Sequence, residues 1–559
     1  MLMRRAWPSV LWSPYFLILV SLAVYLPPLF KIPLTRAESM YALVPLEMLH
    51  SGHWLLSTLN GAPYLDKPPL LYWLTIFAYK IFGTAPWAAR MPTLACTLGE
   101  IWLTYLLGRR LFRARAAWLG GFVLLSSLGF FVLHLQILMD HLVTLFLLAS
   151  LYCLWRWQEE PEQRWALGFY LALAGGFLSK GFIGLIFPLL ISSLFLWFRN
   201  RRILYRLIFN PWGLALLGAV VISWLAAMEY VYPGFLRLQI LNEQIMRFFG
   251  KRYPPDITSF PLTGFWIFLG IWLLPWTLLL PQALYRFWRE SRGRQATLQG
   301  GSLLLIWAGV VLGFFTLSSS RIEYYSLPAL PALALILGWR LDCWLDADRA
   351  RSLVWALLLV GLLGLGTLFL MPHLKELCAA NRREFIGMFQ LLAPTARQTT
   401  YWIPGIALLG VLAGWRRPRW AIGCFGVLAL VLCHLTLQTL ILLSPHLSDK
   451  IPGEYLRRHA GPRDLVIMSN IEEFEYGASL AFYSGHHILM VQRRGLPAFP
   501  CPVPPAANYL ISPARLKELW FGPRKVFFLA DDCQPLPGYL KDAASALPLK
   551  GKRLLTNHP

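Results

Sequence analysis

Long apolar runs separated by short charged breaks fill the first 443 residues of the chain. A bilayer needs about 20 apolar residues for each helical crossing, so these runs predict transmembrane helices rather than the buried helices of a soluble protein. We predict thirteen crossings, at about 13–30, 93–112, 116–137, 139–156, 165–178, 181–198, 211–230, 259–281, 301–318, 326–345, 353–371, 401–414 and 420–443.

A fourteenth apolar run differs from the others. Residues 70–83 carry Lys80 inside the run and follow Pro68 and Pro69. Apolar and polar positions on one short helix are typical of a helix that lies flat at the membrane surface. We therefore predict an interfacial helix within the first outer loop, 31–92.

Basic residues are concentrated in alternate loops between the predicted crossings. The loops at 109–115, 199–206, 286–294 and 416–419 are rich in arginine. Short loops with excess lysine and arginine face the cytoplasm. The sequence thus predicts a multi-pass membrane protein, with a cytoplasmic N-terminus and a C-terminal part on the opposite side of the membrane.

From residue 444 the composition becomes that of a soluble domain. Short apolar segments alternate there with helix-like stretches, a pattern that predicts a small α/β domain. The predicted strands are 464–468, 488–491, 509–511 and 526–529, and the helix-like stretches are 473–483 and 513–520. The predicted organisation is an all-α transmembrane domain at 1–443 and a periplasmic α/β domain at 444–559. Cys501 and Cys533 either form a disulfide in an oxidising periplasm or remain free thiols.

The composition excludes several classes of protein. Of 559 residues, 57% are hydrophobic and 14% are charged, whereas a soluble protein carries about 25% charged residues. The net charge of +23 fits basic cytoplasmic loops, so nucleic acid is not an expected partner. The chain has no P-loop, G-x-G-x-x-G or C-x-x-C motif, which argues against a nucleotide-driven pump.

Ionisable and phenolic residues from six segments are expected on the outer side of the membrane. Asp140 lies between the apolar stretches LHLQILM and HLVTLFLL, where an unpaired carboxylate would cost several kcal/mol, so it needs a partner or a water-filled cavity. The candidate residues are Glu38, Tyr41, Asp66, Lys67, Asp140, Lys180, Glu243, Arg247, Arg321, Tyr324 and Tyr325.

These residue types favour chemistry at a phosphate. The four cations Lys67, Lys180, Arg247 and Arg321 can bind a phosphate group, and a carboxylate can remove a proton from a hydroxyl. Together they could displace a lipid phosphate from a sugar carbon. An anion transporter would also gather cations, but the inverted repeats and broken midplane helices of transporters are not evident. A non-catalytic scaffold, with these charges only solvated or in surface ion pairs, is the remaining alternative.

Several motifs carry a resemblance to a known family. The stretch 36–83 contains DKPPLLYWL, and it is followed in order by LSKGFIGLI around Lys180, NEQIMRFFG, and SSSRIEYYSLPALPALAL at 318–335. This series resembles bacterial GT-C glycosyltransferases of the protein mannosyltransferase and lipid A aminoarabinose transferase superfamily. The match covers residues 1–340, and the remainder agrees only in layout.

The resemblance implies a monomeric enzyme of the bacterial inner membrane that takes its sugar from a lipid-linked donor. It would move a sugar from undecaprenyl phosphate, or another polyprenyl phosphate, to lipid A, protein or envelope glycan on the periplasmic side, with inversion at the anomeric carbon. Lys67, Lys180 and Arg247 would contact the donor phosphate, and Arg321 matches a further basic position. The sugar and acceptor cavity would be lined by Tyr41, Asp66, Asp140, Glu243, Tyr324 and Tyr325.

The chain departs from the family at two places. Ala37 replaces the aspartate that serves as the favoured base, so either Glu38 or Asp140 is the base, or the protein is a weakly active member. Asp66 occupies a position that can join a metal site, but the accompanying histidine is Gln244. No metal or other cofactor is therefore expected, and the sugar and the acceptor stay open.

Overall fold

The thirteen apolar runs all lie on helices in the computed structural model. Apolar runs of this length satisfy their backbone hydrogen bonds within the segment, which favours helix in lipid. The structure describes residues 12–253, 260–291, 300–347, 351–381 (side chains to 366), 398, 401–415, 417–469, 477–491, 509–532, 535–541, 543–549 and 551–558. Cys501 and Cys533 lie outside the described residues.

The N-terminal half is almost entirely helical, and one short hairpin, β1 (Thr58–Leu59) and β2 (Ala62–Pro63), interrupts the first outer loop. Its helices are α1 (Pro14–Leu29), α2 (Arg36–Ser51), α3 (Leu70–Phe82), α4 (Pro86–Ala89), α5 (Met91–Leu111), α6 (Ala114–Ser126), α7 (Leu128–His134), α8 (Met139–Glu159), α9 (Gln163–Lys180), α10 (Ile183–Arg199), α11 (Arg201–Ile208) and α12 (Pro211–Val231).

The following segment contains irregular helices. Residues Arg237–Met246 form a π-helix, and 3₁₀ turns occupy Trp276–Leu279 and Glu323–Ala329. The regular helices are α13 (Leu262–Trp272), α14 (Leu280–Ser291), α15 (Gly301–Leu317), α16 (Leu330–Asp346), α17 (Arg351–Asn381), α18 (Tyr401–Gly414) and α19 (Pro418–Leu447).

By length and composition, three of the described spans could cross a membrane: Pro211–Val231, Glu323–Asp346 and Pro418–Leu447. Two bent pairs raise the number to five. α6 and α7 meet at 60°, and α13 meets the segment Trp276–Ser291 at 99°. The run predicted as one crossing at 259–281 is thus strongly bent. The total of thirteen crossings stays a prediction.

The interfacial segment forms the expected helix. Leu74, Phe77, Ile81 and Phe82 of α3 are exposed, and their spacing places them on one helix face. The opposite face contributes Tyr72, Ile76 and neighbouring side chains to a buried cluster. An exposed apolar face fits contact with lipid, and its position at the membrane surface remains a prediction.

The C-terminal part contains the predicted α/β unit. Its helices are α20 (Lys450–His459), α21 (Gly477–Ser484) and α22 (Pro513–Trp520), and its strands are β3 (Leu465–Ser469), β4 (Ile488–Val491), β5 (Leu510–Ile511), β6 (Val526–Asp531), β7 (Ala544–Pro548) and β8 (Lys552–Thr556). The sheet order is β5-β4-β3-β6-β8-β7. β5, β4, β3 and β6 are parallel, whereas β8 and β7 are antiparallel additions that the sequence pattern did not predict.

The first outer loop packs against this sheet domain. Arg36 at the start of α2 bridges Asp449 and Asp531, at 3.2 and 2.8 Å. The side-chain amide of Asn60 exchanges two hydrogen bonds with the backbone of Ile488. These contacts fix the first outer loop against the C-terminal part, where Lys552 also binds Asp449 at 2.7 Å.

Candidate functional site

Two helix ends bring the first charged pair together. Only three residues, 160–162, connect α8 to α9, so the helices run antiparallel and the start of α8 meets the end of α9. Asp140 lies in the first turn of α8 and Lys180 is the last residue of α9. Each charge is favoured by the dipole of its own helix end. Lys180 Nζ is 2.7 Å from both carboxylate oxygens of Asp140, so the partner predicted for Asp140 is present.

Aromatic side chains surround this pair. Lys180 Nζ lies 4.4 Å above the ring of Tyr325, a cation–π contact. Tyr324 packs edge-to-face on Tyr325 at 5.5 Å and interacts electrostatically with Asp140 and Tyr41. Gly181 follows Lys180 with φ of +73°, and a Cβ at this position would lie 2.9 Å from the Gln244 amide. The glycine therefore allows α9 to end beside the π-helix.

A second charged cluster forms around Asp66, just before α3. Lys67 Nζ lies 2.6 Å from Asp66 Oδ2, and Arg252 Nη2 lies 3.3 Å from Oδ1. Arg247 Nη1 is 3.7 Å from the same oxygen. Burial alone would raise the pKa of this carboxyl, but the three cations hold the pKa of Asp66 well below its usual range.

The π-helix adds a second carboxyl group to the cluster. Glu243 accepts two 2.9 Å hydrogen bonds from Arg252 Nε and lies 3.4 Å from Arg247 Nη1. Burial and then the charge of Asp66 raise the pKa of Glu243 to about 8, and a hydrogen bond links the two carboxyl groups. Glu243 therefore holds a proton at neutral pH, while Asp66 is ionised. π-Helical turns occur frequently at functional sites.

Both clusters face one cavity of about 520 Å³. Lys67 and Arg247 of the second cluster line it, and so does Lys180 of the first. The other walls are mostly apolar, with Phe248, Phe314 and neighbouring side chains. The predicted residues that line the cavity are Asp66, Lys67, Lys180, Glu243, Arg247 and Tyr325. Such a cavity can hold an anionic head group and part of an apolar chain.

The charges around the cavity do not balance. Four cations meet three carboxyl groups, which leaves an excess of at least one positive charge. The cations are Lys67, Lys180, Arg247 and Arg252, and the carboxyl groups are Asp66, Asp140 and Glu243. A phosphate group would compensate this excess.

Arg252 was absent from the residues predicted from sequence. It belongs to GKRYPP, directly after the NEQIMRFFG motif. Its partners are Asp66, 186 positions earlier, and Glu243. From sequence alone, a basic residue in a loop is usually interpreted as a solvated surface charge. Arg252 differs because it pairs with two buried carboxyl groups, and these contacts are visible only in the structure.

The structure corrects the prediction of Glu38 as a candidate base. Its carboxylate pairs with the Arg90 guanidinium at 2.6 and 2.7 Å and accepts the backbone N–H groups of Thr35 and Ile137. Glu38 is 3% exposed and is absent from the cavity lining. A carboxylate with four such donors anchors the outer loop and has no oxygen left for an acceptor hydroxyl.

Arg321 also differs from the prediction. Its guanidinium donates to the carbonyl oxygens of Phe315 and Ser318 and so caps the end of α15. It is absent from the cavity lining, as are Tyr41, Tyr324 and Asp140. Asp140 adjoins the cavity through its ion pair with Lys180, which lines it. Tyr324 interacts electrostatically with both Asp140 and Tyr41.

Asp66 and Gln244 do not fit a metal ion. Asp66 already accepts hydrogen bonds from Lys67, Arg252 and Tyr64, and the positive charges around it would repel a divalent cation. Gln244, which lines the same cavity, carries an amide and no imidazole.

The fold and the sequence both match known proteins. The family model described as dolichyl-phosphate-mannose-protein mannosyltransferase matches residues 66–226. ArnT from Cupriavidus metallidurans, crystallised with undecaprenyl phosphate, has a TM-score of 0.79 over 97% of both chains at 20% identity. The chain has the ArnT fold. This confirms a polytopic, mostly helical membrane fold with a C-terminal sheet domain.

Relatives identified by sequence have a consistent name. An undecaprenyl phosphate-alpha-4-amino-4-deoxy-L-arabinose arabinosyl transferase of Pseudomonas fluorescens strain Pf0-1 is 30% identical over 352 residues, 61% of this chain and 60% of the relative. One from strain Pf-5 is 29% identical over 442 residues, 76% of this chain and 74% of the relative. The resemblance inferred from the sequence is confirmed, although the match spans only 60% of the length of the Pf0-1 relative.

Proposed function

We propose that the protein is a glycosyltransferase that moves a sugar from undecaprenyl phosphate to an acceptor at the outer face of the inner membrane. The observation that carries this proposal is the excess of positive charge on one side of an otherwise apolar cavity. The names of the relatives point to 4-amino-4-deoxy-L-arabinose as the sugar. Lipid A is the first acceptor to test.

Lys67 and Arg247 bind the donor phosphate in this proposal. Both side chains line the cavity and both neighbour Asp66, which holds them a few ångströms apart. Positive charge fixed where the leaving phosphate gains negative charge lowers the barrier, because it needs no reorganisation during the reaction. The apolar walls at Ile186, Phe248 and Phe314 accept the first isoprene units.

Asp140 is the proposed base, since Ala37 lacks a carboxyl group and Glu38 is bound to Arg90. The acceptor hydroxyl oxygen attacks the anomeric carbon while the bond from that carbon to the phosphate oxygen breaks. The bonding electrons leave with undecaprenyl phosphate, and the hydroxyl proton passes to Asp140. Lys180, now paired with Asp140 at 2.7 Å, turns toward the phosphate when donor binds.

Removing either phosphate-binding cation should lower transfer strongly. Lys67→Ala and Arg247→Ala each remove a charge-assisted hydrogen bond worth about 1.5–3 kcal/mol, or roughly 10- to 150-fold in kcat/KM. Transfer is measured in detergent with purified undecaprenyl-phosphate aminoarabinose and lipid A, by mass spectrometry of the lipid product. Without a membrane gradient, product formation separates an enzyme from a transporter.

Arg237→Ala is the matched control, because Arg237 lies on the same π-helix with an exposed side chain. It should retain wild-type rates. Rates equal to wild type in both Lys67→Ala and Arg247→Ala would refute the assigned phosphate site. No sugar transfer by the wild type with any lipid-linked sugar would refute the glycosyltransferase itself.

Donor affinity should weaken as pH rises through about 8, the pKa to which burial raises Glu243. Above this pH Glu243 gains a negative charge beside the phosphate. At an effective dielectric constant of about 20, two unit charges roughly 6 Å apart repel by about 3 kcal/mol, so the ligand binds mainly the protonated form and we expect a loss of up to about tenfold between pH 7 and 9. Glu243→Gln should flatten this dependence. An equal decline in wild type and Glu243→Gln, with undecaprenyl phosphate titrated at each pH, would contradict this role of Glu243.

A further inference from the structure

Away from the cavity, three polar side chains meet inside the helical bundle where α5, α7 and α8 pack together. Glu100 comes from α5, His134 ends α7, and His141 lies in the first turn of α8. Their exposed fractions are 0%, 1% and 1%. One potential ligand atom from each lies within 4.8 Å of the other two. Ionisable side chains are costly inside a helical membrane bundle, so the presence of three of them together needs an explanation.

Backbone carbonyl groups fix the orientation of both imidazole rings. His134 Nδ1 is 2.8 Å from the carbonyl oxygen of Phe130, and His141 Nε2 is 3.0 Å from that of Leu133. A carbonyl oxygen only accepts, so these nitrogens carry the hydrogens in neutral rings. The remaining nitrogens, His134 Nε2 and His141 Nδ1, are left with free lone pairs. Metal-binding histidines show the same arrangement.

These lone pairs and the Glu100 carboxylate form a set of acceptors with too few donors. A single proton on Glu100 can satisfy the 3.0 Å contact between its Oε1 and His134 Nε2. Within the part of the chain that the structure describes, Glu100 Oε2 and His141 Nδ1 still have no hydrogen-bond partner. Buried polar atoms without partners are rare in native proteins, and a bound ion is one arrangement that satisfies them.

We propose that Glu100, His134 and His141 bind one divalent transition-metal ion, with Zn²⁺ as the best match. Two imidazole nitrogens and one carboxylate oxygen suit zinc, and a water would complete a tetrahedron. Ligand atoms around tetrahedral zinc lie roughly 3.3 Å apart. Small side-chain rotations would therefore bring the three ligand atoms from their present separations to the distances that the ion requires. This site is separate from Asp66 and Gln244.

The ion would stabilise the segment that presents Asp140. His134 and His141 flank residues 135–140, a segment made of the short connection 135–138 between α7 and α8 and the first two residues of α8. This segment includes Ile137, whose N–H binds Glu38, as well as Asp140 itself. A metal bound at both ends of the segment would fix its conformation and hold Asp140 opposite Lys180. This consequence for activity rests on the proposed function, whereas metal binding does not.

The test uses the full-length protein without a histidine tag, stripped with chelator in detergent and then dialysed against Zn²⁺. Elemental analysis should find about one zinc per chain, and zinc X-ray absorption should show two imidazole nitrogens with oxygen ligands. His141→Asn and Glu100→Gln should lower zinc affinity about 10- to 100-fold or more. Zinc should raise the Tm of the wild type but not that of either variant.

His53→Asn and Asp66→Asn are the controls, because His53 is exposed and Asp66 is a carboxylate of the separate, cation-rich cavity. Both should keep the zinc. A wild-type protein that takes up no zinc after chelation would overturn the proposal, as would full zinc retention in His141→Asn and Glu100→Gln. X-ray absorption of the wild type does not depend on the folding of any variant, and a spectrum without imidazole ligands would also overturn it.

Discussion

Asp140→Asn should lower the rate of sugar transfer by about 10²- to 10⁴-fold, the usual contribution of a general base. The substitution keeps the shape of the side chain and removes its capacity to take a proton. Because it also removes a negative charge beside Lys180, the affinity for undecaprenyl phosphate should be unchanged or increased. The measurement combines single-turnover transfer with a binding titration of the same protein.

Asp532→Asn is the matched control for this change. Asp532 forms an exposed ion pair with Arg553 at 2.9 Å, and exposed pairs contribute about 0–1 kcal/mol. Transfer by this variant should equal that of the wild type. A normal chemical rate in Asp140→Asn would remove Asp140 from the reaction and leave an enzyme without a carboxylate base.

Glu38→Gln should destabilise the protein far more than it slows the folded enzyme. The substitution leaves the buried guanidinium of Arg90, 1% exposed, without its counter-charge. Breaking a buried ion pair by changing one partner costs about 3–5 kcal/mol. Thermal unfolding in detergent should show a large fall in Tm, while the transfer rate per folded molecule at low temperature changes much less than in Asp140→Asn.

Glu162→Gln is the control, because it removes the same charge from an exposed ion pair and so shows how much of the loss of stability is due to burial. Glu162 pairs with Arg164 at 2.6 Å, with both side chains about half exposed, so its loss should change stability by less than about 1 kcal/mol. A Glu38→Gln protein of wild-type stability with transfer abolished would restore Glu38 as the base.

The hydrophobic pattern was sufficient to predict the helices at the apolar runs, but it did not predict α2, α4, α11 or α20. Every apolar run became helical because the interior of a bilayer leaves the backbone no other partner. The strands β3, β4, β5 and β6 were also found close to their predicted bounds. The pattern did not predict the 99° bend after α13, since hydropathy responds to burial and not to the direction of the chain. β7 and β8 lack a comparably continuous apolar run.

The candidate site was harder to predict, because its contacts join distant segments. The residue type and the predicted side of the membrane were enough to select Asp66, Lys67 and Arg247. Glu38 is also a carboxylate in the first outer loop, but its ion pair with Arg90, 52 positions later, keeps it out of the cavity. Arg252 was missed for a similar reason, because its buried partner Asp66 lies far away in the sequence. Which outer charges share a cavity depends on helix packing, which a single sequence does not specify.

The central claim is that the cavity recognises a lipid phosphate through Lys67 and Arg247. The most direct test compares the binding of undecaprenyl phosphate and of undecaprenol, the same chain without phosphate, in detergent. We expect the wild type and Arg237→Ala to prefer the phosphate by at least about tenfold, from one charge-assisted hydrogen bond or more. Lys67→Ala/Arg247→Ala should bind both lipids equally. Equal binding of the two lipids by the wild type would contradict the account.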